Sequence, residues 1–242
     1  MRLALVLVAI SLIFSGCATY IPPGAKADLQ IFAPPDIQVG FAAKPTSPFP
    51  ASIAIVRVQA PSYTNHYLQQ RGGSYGTGRY SVVLTKEADE DTQLERVNKL
   101  REVAGMVTLN RILLPEKFEG DREIRGAAAR LQADLVFLYT FDTAFFDTDV
   151  AKPLSVITLG LSPTRKISAA TTCSALLIDT RTGYIYSAYE VTEKAETFST
   201  SWGSRDTADE VRRKNEQEAF KKLIDEFVTT WPNVLERHRK KS

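Results

Sequence analysis

The sequence predicts an α/β (α+β) fold, in which helices flank a mixed β-sheet and a disordered N-terminal tether precedes a single domain. Three segments support this fold class. Residues 52–59, SIAIVRVQ, are rich in β-branched side chains and predict a strand. Residues 134–141, DLVFLYTF, are apolar on both faces, which is typical of a central strand. Residues 167–179 and 184–194 predict a β-hairpin, because Gly183 in the intervening turn can adopt a positive φ angle.

Shorter elements fill the chain between the first strand and the central strand. Tyr80–Thr85 predicts a short strand, and the capping box Thr92–Glu95 predicts the start of a helix that ends at Gly105. Residues 107–114 predict a further strand. Asp121 is expected to cap a second helix, because apolar residues with helical spacing follow it.

A long helix closes the domain. The capping box Thr207–Glu210 predicts its start, and Pro232 is expected either to kink the helix or to end it early. The complete order of elements is β-α-β-α-β-β-β-α. Right-handed crossovers between parallel strands would place the helices over the sheet.

The composition excludes several classes of protein. The chain has 242 residues, with 30 Lys and Arg against 28 Asp and Glu, and its net charge of +2 argues against a nucleic-acid partner. Two cysteines are too few for a fold that depends on disulfides. The motifs HExxH and CxxC are absent from the sequence, so we expect no metal ion and no other cofactor.

The N-terminus predicts export and a lipid anchor. Residues 3–14 are an apolar run that is shorter than the ~20 residues needed to cross a bilayer, and small residues follow it, as in a secretory signal peptide. The segment Phe14–Cys17 resembles the lipobox of bacterial lipoproteins, in which the cysteine is acylated with fatty acids such as palmitate. That resemblance implies a signal peptide at residues 1–16 and lipidation of Cys17. Because Ala18 follows the cysteine instead of Asp, it also implies an outer-membrane location facing the periplasm in a Gram-negative host.

The mature chain is expected to divide into a tether and one domain. Seven of the twelve prolines lie within the first 50 residues, so residues 17–50 are predicted to form a Pro-rich tether. Residues 51–239 are predicted to form the periplasmic α/β domain. Cys173 lies in a strand-like apolar run and is interpreted as a small buried residue.

The predicted domain is similar to a known group of envelope proteins. A helix that ends near Gln132-Ala133-Asp134 precedes the central strand, and the hairpin turn Asp179–Gly183 has the pattern D-x-x-T-G. With the lipidated Cys17 and the Pro-rich tether, these features resemble the periplasmic α/β domain of the CsgG, LpoB and TolB amino-terminal families. The resemblance covers roughly residues 51–239 and rests on structural turn motifs. It implies activation of a cell-wall synthase, support of envelope assembly, or an oligomeric secretion complex.

A long polar loop is the first candidate binding site. Aromatic side chains beside arginines suit the binding of peptides or glycans, because flat rings give a large contact area at a low entropic cost. The loop carries Tyr63, His66, Tyr67, Arg71, Tyr75 and Arg79. The alternative is a surface loop whose tyrosines pack on their own domain.

Two further segments leave alternatives open. Asp142, Asp147 and Asp149 cluster in one stretch, which suggests a polar strand end, a Ca²⁺ site or, less readily, a pair of hydrolytic carboxylates. Residues 153–163 form an apolar run that suits either a buried strand or an exposed contact with a membrane or a partner.

These observations predict a non-enzymatic, lipid-anchored protein of the cell envelope. Its expected partners are the lipid bilayer, through Cys17, and an unidentified envelope protein or peptidoglycan. One alternative is a subunit of an oligomeric outer-membrane secretion or assembly complex. Another is an envelope hydrolase that uses Asp147 and Asp149, although the sequence shows neither a triad nor a metal set for it.

Overall fold

The structure is a computed structural model that describes residues 29–33, 36–60, 63, 80–83, 89–115, 120–149, 163–200 and 204–238. The described residues form a mixed six-stranded sheet with four flanking helices, which confirms the predicted fold class. The strands are β1 (Ala51–Gln59), β2 (Ser81–Val83), β3 (Val103–Thr108), β4 (Leu135–Asp149), β5 (Pro163–Asp179) and β6 (Ile185–Thr200). The helices are α1 (Ile37–Ala42), α2 (Glu90–Asn98), α3 (Asp121–Arg130) and α4 (Ser204–His238), with 3₁₀ turns at Leu29–Phe32 and Arg111–Leu113.

The sheet is mixed around β1 and antiparallel beyond β4. One edge of β1 pairs in parallel with β3 and then antiparallel with β2, and its other edge pairs in parallel with β4. The antiparallel hairpin β5–β6 extends the sheet on the far side of β4. The predicted central strand and the predicted hairpin are therefore confirmed. Both are longer than the sequence pattern indicated, because β4, β5 and β6 are 15, 17 and 16 residues long.

Helices cover both faces of the sheet. α2 and α4 pack on one face, and their contacts with the sheet form the larger part of the core. α3 packs on the opposite face. Six of the seven largest side chains that are fully buried lie on the α4 side: Trp231, Tyr139, Phe137, Phe141, Phe220 and Phe227. The seventh, Phe32, lies on the α3 side. The tight packing of the aromatic rings on the α4 side fixes α4 across β5 and β6.

Several predicted element boundaries are wrong. α2 begins at Glu90, so the capping box at Thr92 lies inside the helix, and Gly105 lies in β3 instead of ending the helix. β3 ends at Thr108, before a 3₁₀ turn. The cause is that burial of apolar side chains against the sheet, which capping motifs do not encode, decides where these elements lie.

The terminal helix is continuous and begins earlier than predicted. α4 starts at Ser204 and runs past Pro232 without ending. Trp231 and Val234 are buried on either side of this proline, and Trp231 Nε1 donates a hydrogen bond to the carbonyl oxygen of Arg101 at 2.8 Å. These tertiary contacts hold the last turns of the helix in place despite the proline.

Parts of the predicted tether pack on the domain. Phe32 is buried against Tyr80, with ring centroids 5.4 Å apart, and Phe49 packs on Trp231, with centroids 5.9 Å apart. Packing of the chain therefore begins before Ala51. The predicted signal peptide and Cys17 lie outside the described residues. Among the helices that are described, none has both the length and the apolar character needed to cross a membrane.

Candidate functional site

A buried carboxylate in the β5–β6 turn joins the tether to the domain. Asp179 Oδ1 accepts hydrogen bonds from the backbone N–H groups of Arg181 (2.9 Å) and Thr182 (3.0 Å), which stabilise the turn. Asp179 Oδ2 accepts hydrogen bonds from the backbone N–H groups of Thr46 and Ser47, both at 2.8 Å. Ser47 Oγ donates a further hydrogen bond at 2.9 Å. We call this arrangement of Asp179, Thr46 and Ser47 the Asp179 latch.

The latch holds a carboxylate that stays ionised. Burial alone would raise the pKa of Asp179, but the hydrogen bonds from Thr46, Ser47 and Thr182 outweigh it and lower the pKa to about 2. The ionised form is the better acceptor for so many donors. The latch therefore fixes the end of the tether on the domain at neutral pH.

The latch presents a short helix with apolar side chains facing solvent. α1 precedes Thr46 by four residues, and the carboxylate of Asp36 caps it by accepting a hydrogen bond from the N–H of Gln38 at 2.6 Å. Ile37 and Phe41, which lie four residues apart on one helix face, are each 79% exposed, and Val39 is 53% exposed. Large apolar side chains grouped in this way typically mark a contact surface.

A cavity adjoins this helix. It has a volume of about 680 Å³, and its lining combines one flank of α1 with the aromatic end of the domain. Tyr184 and His238 form that end, with ring centroids 5.5 Å apart. The residues that line it are Asp36, Ile37, Gly40, Phe41, Ala43, Lys44, Pro45, Tyr184 and His238. We call α1 together with this cavity the tether-end surface.

The tether-end surface carries little net charge. Burial, followed by the nearby Arg237, lowers the pKa of His238, so its ring is neutral at physiological pH. Asp36 and Lys44 supply one charge of each sign. The surface is thus mainly apolar with a few polar groups, which is the usual character of a ligand or peptide site.

A second cluster, the buried ionic network, lies between β1, α2 and α4. Arg57 pairs with Glu90 at 2.8 Å and with Glu216 at 3.6 Å. Arg212 pairs with Glu216 at 2.8 Å and donates a hydrogen bond to Tyr63 Oη at 3.0 Å. The Tyr63 hydroxyl in turn donates to Glu216. Two positive and two negative side chains balance, and all four are buried, so the network links β1, α2 and α4 without an unpaired buried charge and offers no exposed chemistry.

The position of Tyr63 corrects one sequence prediction. Tyr63 was expected to be exposed in the binding loop, but it is only 5% exposed and belongs to the core. Burial, together with the charge of Glu216, raises the pKa of Tyr63 far above its usual value, so the phenol stays protonated as a donor. The prediction of an exposed, partner-binding Tyr63 is wrong, because its hydroxyl is used inside the buried ionic network.

Other predicted site residues lie outside the described part of the chain. They are Cys17, His66, Tyr67, Arg71, Tyr75 and Arg79, together with residues 153–162 of the apolar run. Their proposed roles stay predictions. Cys173, in contrast, is confirmed as a buried core residue, and burial raises the pKa of its thiol well above the usual value.

The acidic cluster on β4 is described in part. Burial raises the pKa of Asp142 to about 6, a value that would suit proton transfer near neutral pH. Only the backbone of Asp147 and Asp149 is described, so the grouping of the three carboxylates stays a prediction. Within the described ranges, no group of three or more His, Cys, Asp or Glu side chains is placed to hold a metal ion.

Sequence reasoning did not find the Asp179 latch. Asp179 was predicted only as the first residue of a turn, and residues 46 and 47 only as part of a tether. The hydrogen bonds between them join residues 132 and 133 positions apart, so no local pattern indicates them. The one available signal was a Thr-Ser pair between Pro45 and Pro48, which supplies donors in a stretch of chain with a restricted backbone.

The comparisons with known proteins show only distant likeness. No protein-family model and no curated protein matches the chain. A neuraminyllactose-binding hemagglutinin homologue from Helicobacter pylori is 12% identical over 78% of this chain and 87% of its own, with a TM-score of 0.40. A Xanthomonas campestris protein of the DUF330 family is 12% identical over 81% and 91%, with a TM-score of 0.38. The lipoprotein GNA1162 from Neisseria meningitidis is 13% identical over 77% and 99%, with a TM-score of 0.24.

These likenesses do not establish a shared fold or a shared function, because all three TM-scores lie below 0.5. None of the three is a CsgG, LpoB or TolB protein. The resemblance of the hairpin and of the helix–strand junction to those families therefore stays a prediction from the sequence.

Proposed function

We propose that this chain is a non-enzymatic, lipid-anchored protein of the bacterial cell envelope that binds another envelope protein through the tether-end surface. The anchor in this proposal is Cys17, supported by the short apolar run and the lipobox-like segment before it. The site is supported by the geometry of α1, the cavity and the Asp179 latch.

One observation carries the proposal. Ile37 and Phe41 are exposed on a helix that is fixed to the folded domain by the buried Asp179 latch. Apolar side chains on a flexible tether would have to be ordered when a partner binds, which costs conformational entropy. A helix held in a defined place, next to a cavity, offers a partner an ordered apolar surface at a low entropic cost.

The chemistry of the surface favours a protein partner over a glycan. Aliphatic and aromatic side chains dominate it, whereas sugars are usually held by many hydrogen-bonding groups. Phe41 lines the neighbouring cavity. An exposed ring beside a cavity is a shape against which an apolar segment of a polypeptide packs. Asp36 and Lys44 at the rim would orient such a segment.

The lipid anchor would restrict where the partner lies. Twenty residues separate Cys17 from Ile37 (37 − 17), and even a fully extended chain of that length reaches at most about 70 Å. The tether-end surface is therefore confined to a shell near the membrane that holds Cys17. A partner in that membrane, or in the layer next to it, would be within reach.

Site-specific photo-crosslinking in cells tests this proposal. A photoreactive amino acid replaces Phe41 in one variant and Ile112 in a matched control, because Ile112 is also apolar and is 86% exposed, but lies in the 3₁₀ turn after β3. We expect position 41 to give one discrete protein adduct that position 112 does not give. Adding Ile37→Asp to the position-41 variant should remove that adduct.

Three outcomes would overturn the proposal. The first is the absence of any adduct at position 41. The second is an equal pattern of adducts at positions 41 and 112, which would indicate non-specific contact. The third is an adduct with lipid or peptidoglycan alone, which would make the bilayer or the cell wall the occupant of the surface.

A further inference from the structure

β6 leaves one of its edges without a strand partner in the described part of the structure. It pairs with β5 along nearly its whole length, and β5 is its only strand neighbour among the described elements. Such an edge presents a row of backbone N–H and C=O groups that can pair with another strand. At 16 residues, β6 is far longer than the edge strands that proteins usually leave unprotected.

The side chains on one face of β6 are open to solvent. Glu190 and Lys194 are exposed, and Thr192 between them is partly exposed. The opposite face of the strand packs under α4, where Tyr189 contacts Phe227. The face of β6 that carries Glu190 and Lys194 is therefore not covered by α4.

The pattern of these charges is self-complementary. When two copies of one strand pair antiparallel about a two-fold axis, each residue faces the residue equally far beyond the axis. With the axis at Thr192, Glu190 faces Lys194 of the second copy, and symmetry makes this ion pair twice. An axis at Glu193 or at Lys194 would instead place two identical charges directly opposite each other, which is destabilising.

The length of β6 restricts the axis to two positions. An axis at Thr192 pairs Ile185 with Ser199, because both lie seven residues away, so 15 of the 16 residues of β6 are paired. An axis at Glu193 pairs equally many residues, and any axis nearer to an end of the strand pairs fewer. Of these two positions, the charge pattern selects Thr192.

The helix on β6 does not obstruct this pairing. α4 lies over both β5 and β6. Because strands are about 4.8 Å apart, the two copies of α4 would lie about two strand spacings, or ~10 Å, from each other on the same face of the joined sheet. This separation is the ordinary distance between packed helices.

We propose that two copies of this chain dimerise edge to edge through β6, antiparallel and with the two-fold axis at Thr192, so that their sheets join into one. Lys194 also has an interaction within its own chain. Its ammonium group has three donors, so a second carboxylate can be accommodated. The proposal does not depend on the tether-end surface or on lipidation of Cys17.

Oxidative crosslinking of the full chain in cells tests the register. Thr192→Cys places two cysteines directly opposite each other, with Cα atoms about 4.5–5.5 Å apart, which is within the range of Cα separations that disulfides bridge. The matched control is Glu196→Cys, which lies four residues from the axis, so its two copies would be about 27 Å apart. The parent chain, with no added cysteine, controls for crosslinking through Cys17.

We expect a disulfide-linked dimer of Thr192→Cys and at least about tenfold less dimer from Glu196→Cys. Adding Glu190→Lys should reduce the Thr192→Cys dimer severalfold, because it places like charges opposite each other twice. Adding Lys194→Glu as well should restore it, which a general loss of folding would not allow. A monomeric Thr192→Cys, equal dimer from both cysteine positions, or no response to the charge exchange would overturn the proposal.

Discussion

Asp179 illustrates how a single buried carboxylate can connect distant parts of the chain. One of its oxygens stabilises the β5–β6 turn and the other binds Thr46 and Ser47. Burial of a carboxylate is unfavourable unless it receives several hydrogen bonds, and here at least five are made. This carboxylate therefore helps to place α1 on the domain, together with the packing of Phe32 and Phe49 on either side of the helix.

We predict that Asp179→Asn destabilises the protein by about 2 kcal/mol at pH 7, because an amide replaces one acceptor oxygen with a donor that faces other donors. The folded pKa of about 2 lies below the ordinary Asp value, so the contribution is present above about pH 4 and is lost as the pH falls towards 2. Urea unfolding of both proteins from pH 7 to pH 2 measures this.

The curves for the parent protein and for Asp179→Asn should converge at the acid end of this range. Asp142→Asn is a useful comparison, because the pKa of Asp142 is raised instead of lowered. A constant difference between the parent and Asp179→Asn at every pH would show that the ionised carboxylate is not the source of the stability.

At the scale of the element, the sequence predicts those helices and strands that a local residue pattern determines. β1, the central strand and the β5–β6 hairpin follow from β-branched content, apolar faces and a turn glycine. The starts of α2 and α4 do not follow from their capping motifs. α2 begins at Glu90, which is buried and pairs with Arg57, and α4 begins at Ser204, ahead of the buried Ala208. Helix ends depend on tertiary burial, which short motifs do not report.

Replacing two glycines by alanine is expected to change the free energy of unfolding in opposite directions. Gly183 has a φ of 73° in the hairpin turn, and an added Cβ would lie 3.3 Å from the Arg125 guanidinium and the Asp121 carboxylate. We expect Gly183→Ala to cost about 1–2 kcal/mol. Gly126 lies inside α3, where an added Cβ meets nothing within 4 Å, so Gly126→Ala should stabilise by about 1 kcal/mol.

Chemical denaturation of the two alanine variants, followed by circular dichroism, compares them with the parent. Opposite signs of the change in the free energy of unfolding are expected. If both substitutions left the free energy of unfolding unchanged, backbone strain at the turn and helix propensity in α3 would not contribute to stability as predicted.

At the scale of the whole molecule, the candidate site was less predictable than the fold. The sequence indicated a polar loop as the binding site, yet Tyr63 is part of the buried ionic network instead. The tether-end surface arises because a tether segment, a turn and the end of α4 meet in space. Those three pieces are far apart in the sequence, and only the folded chain brings them together.

The molecule, as we interpret it, is a compact α/β body joined to a membrane by a short tether whose last residues are fixed on the body. In that arrangement the tether-end surface stays within about 70 Å of the membrane, and the edge of β6, which has no second strand partner among the described elements, remains open to a second copy. Both proposed contacts gain from the anchor, since confinement to a surface raises the effective concentration of partners.

The most direct test of this account is intact-mass spectrometry of the protein extracted from the cell envelope. We predict a chain that begins at Cys17, has 226 residues (242 − 16) and carries the added mass of fatty acyl groups on that first residue. A chain that retains Met1 and has an unmodified thiol at Cys17 would contradict the account.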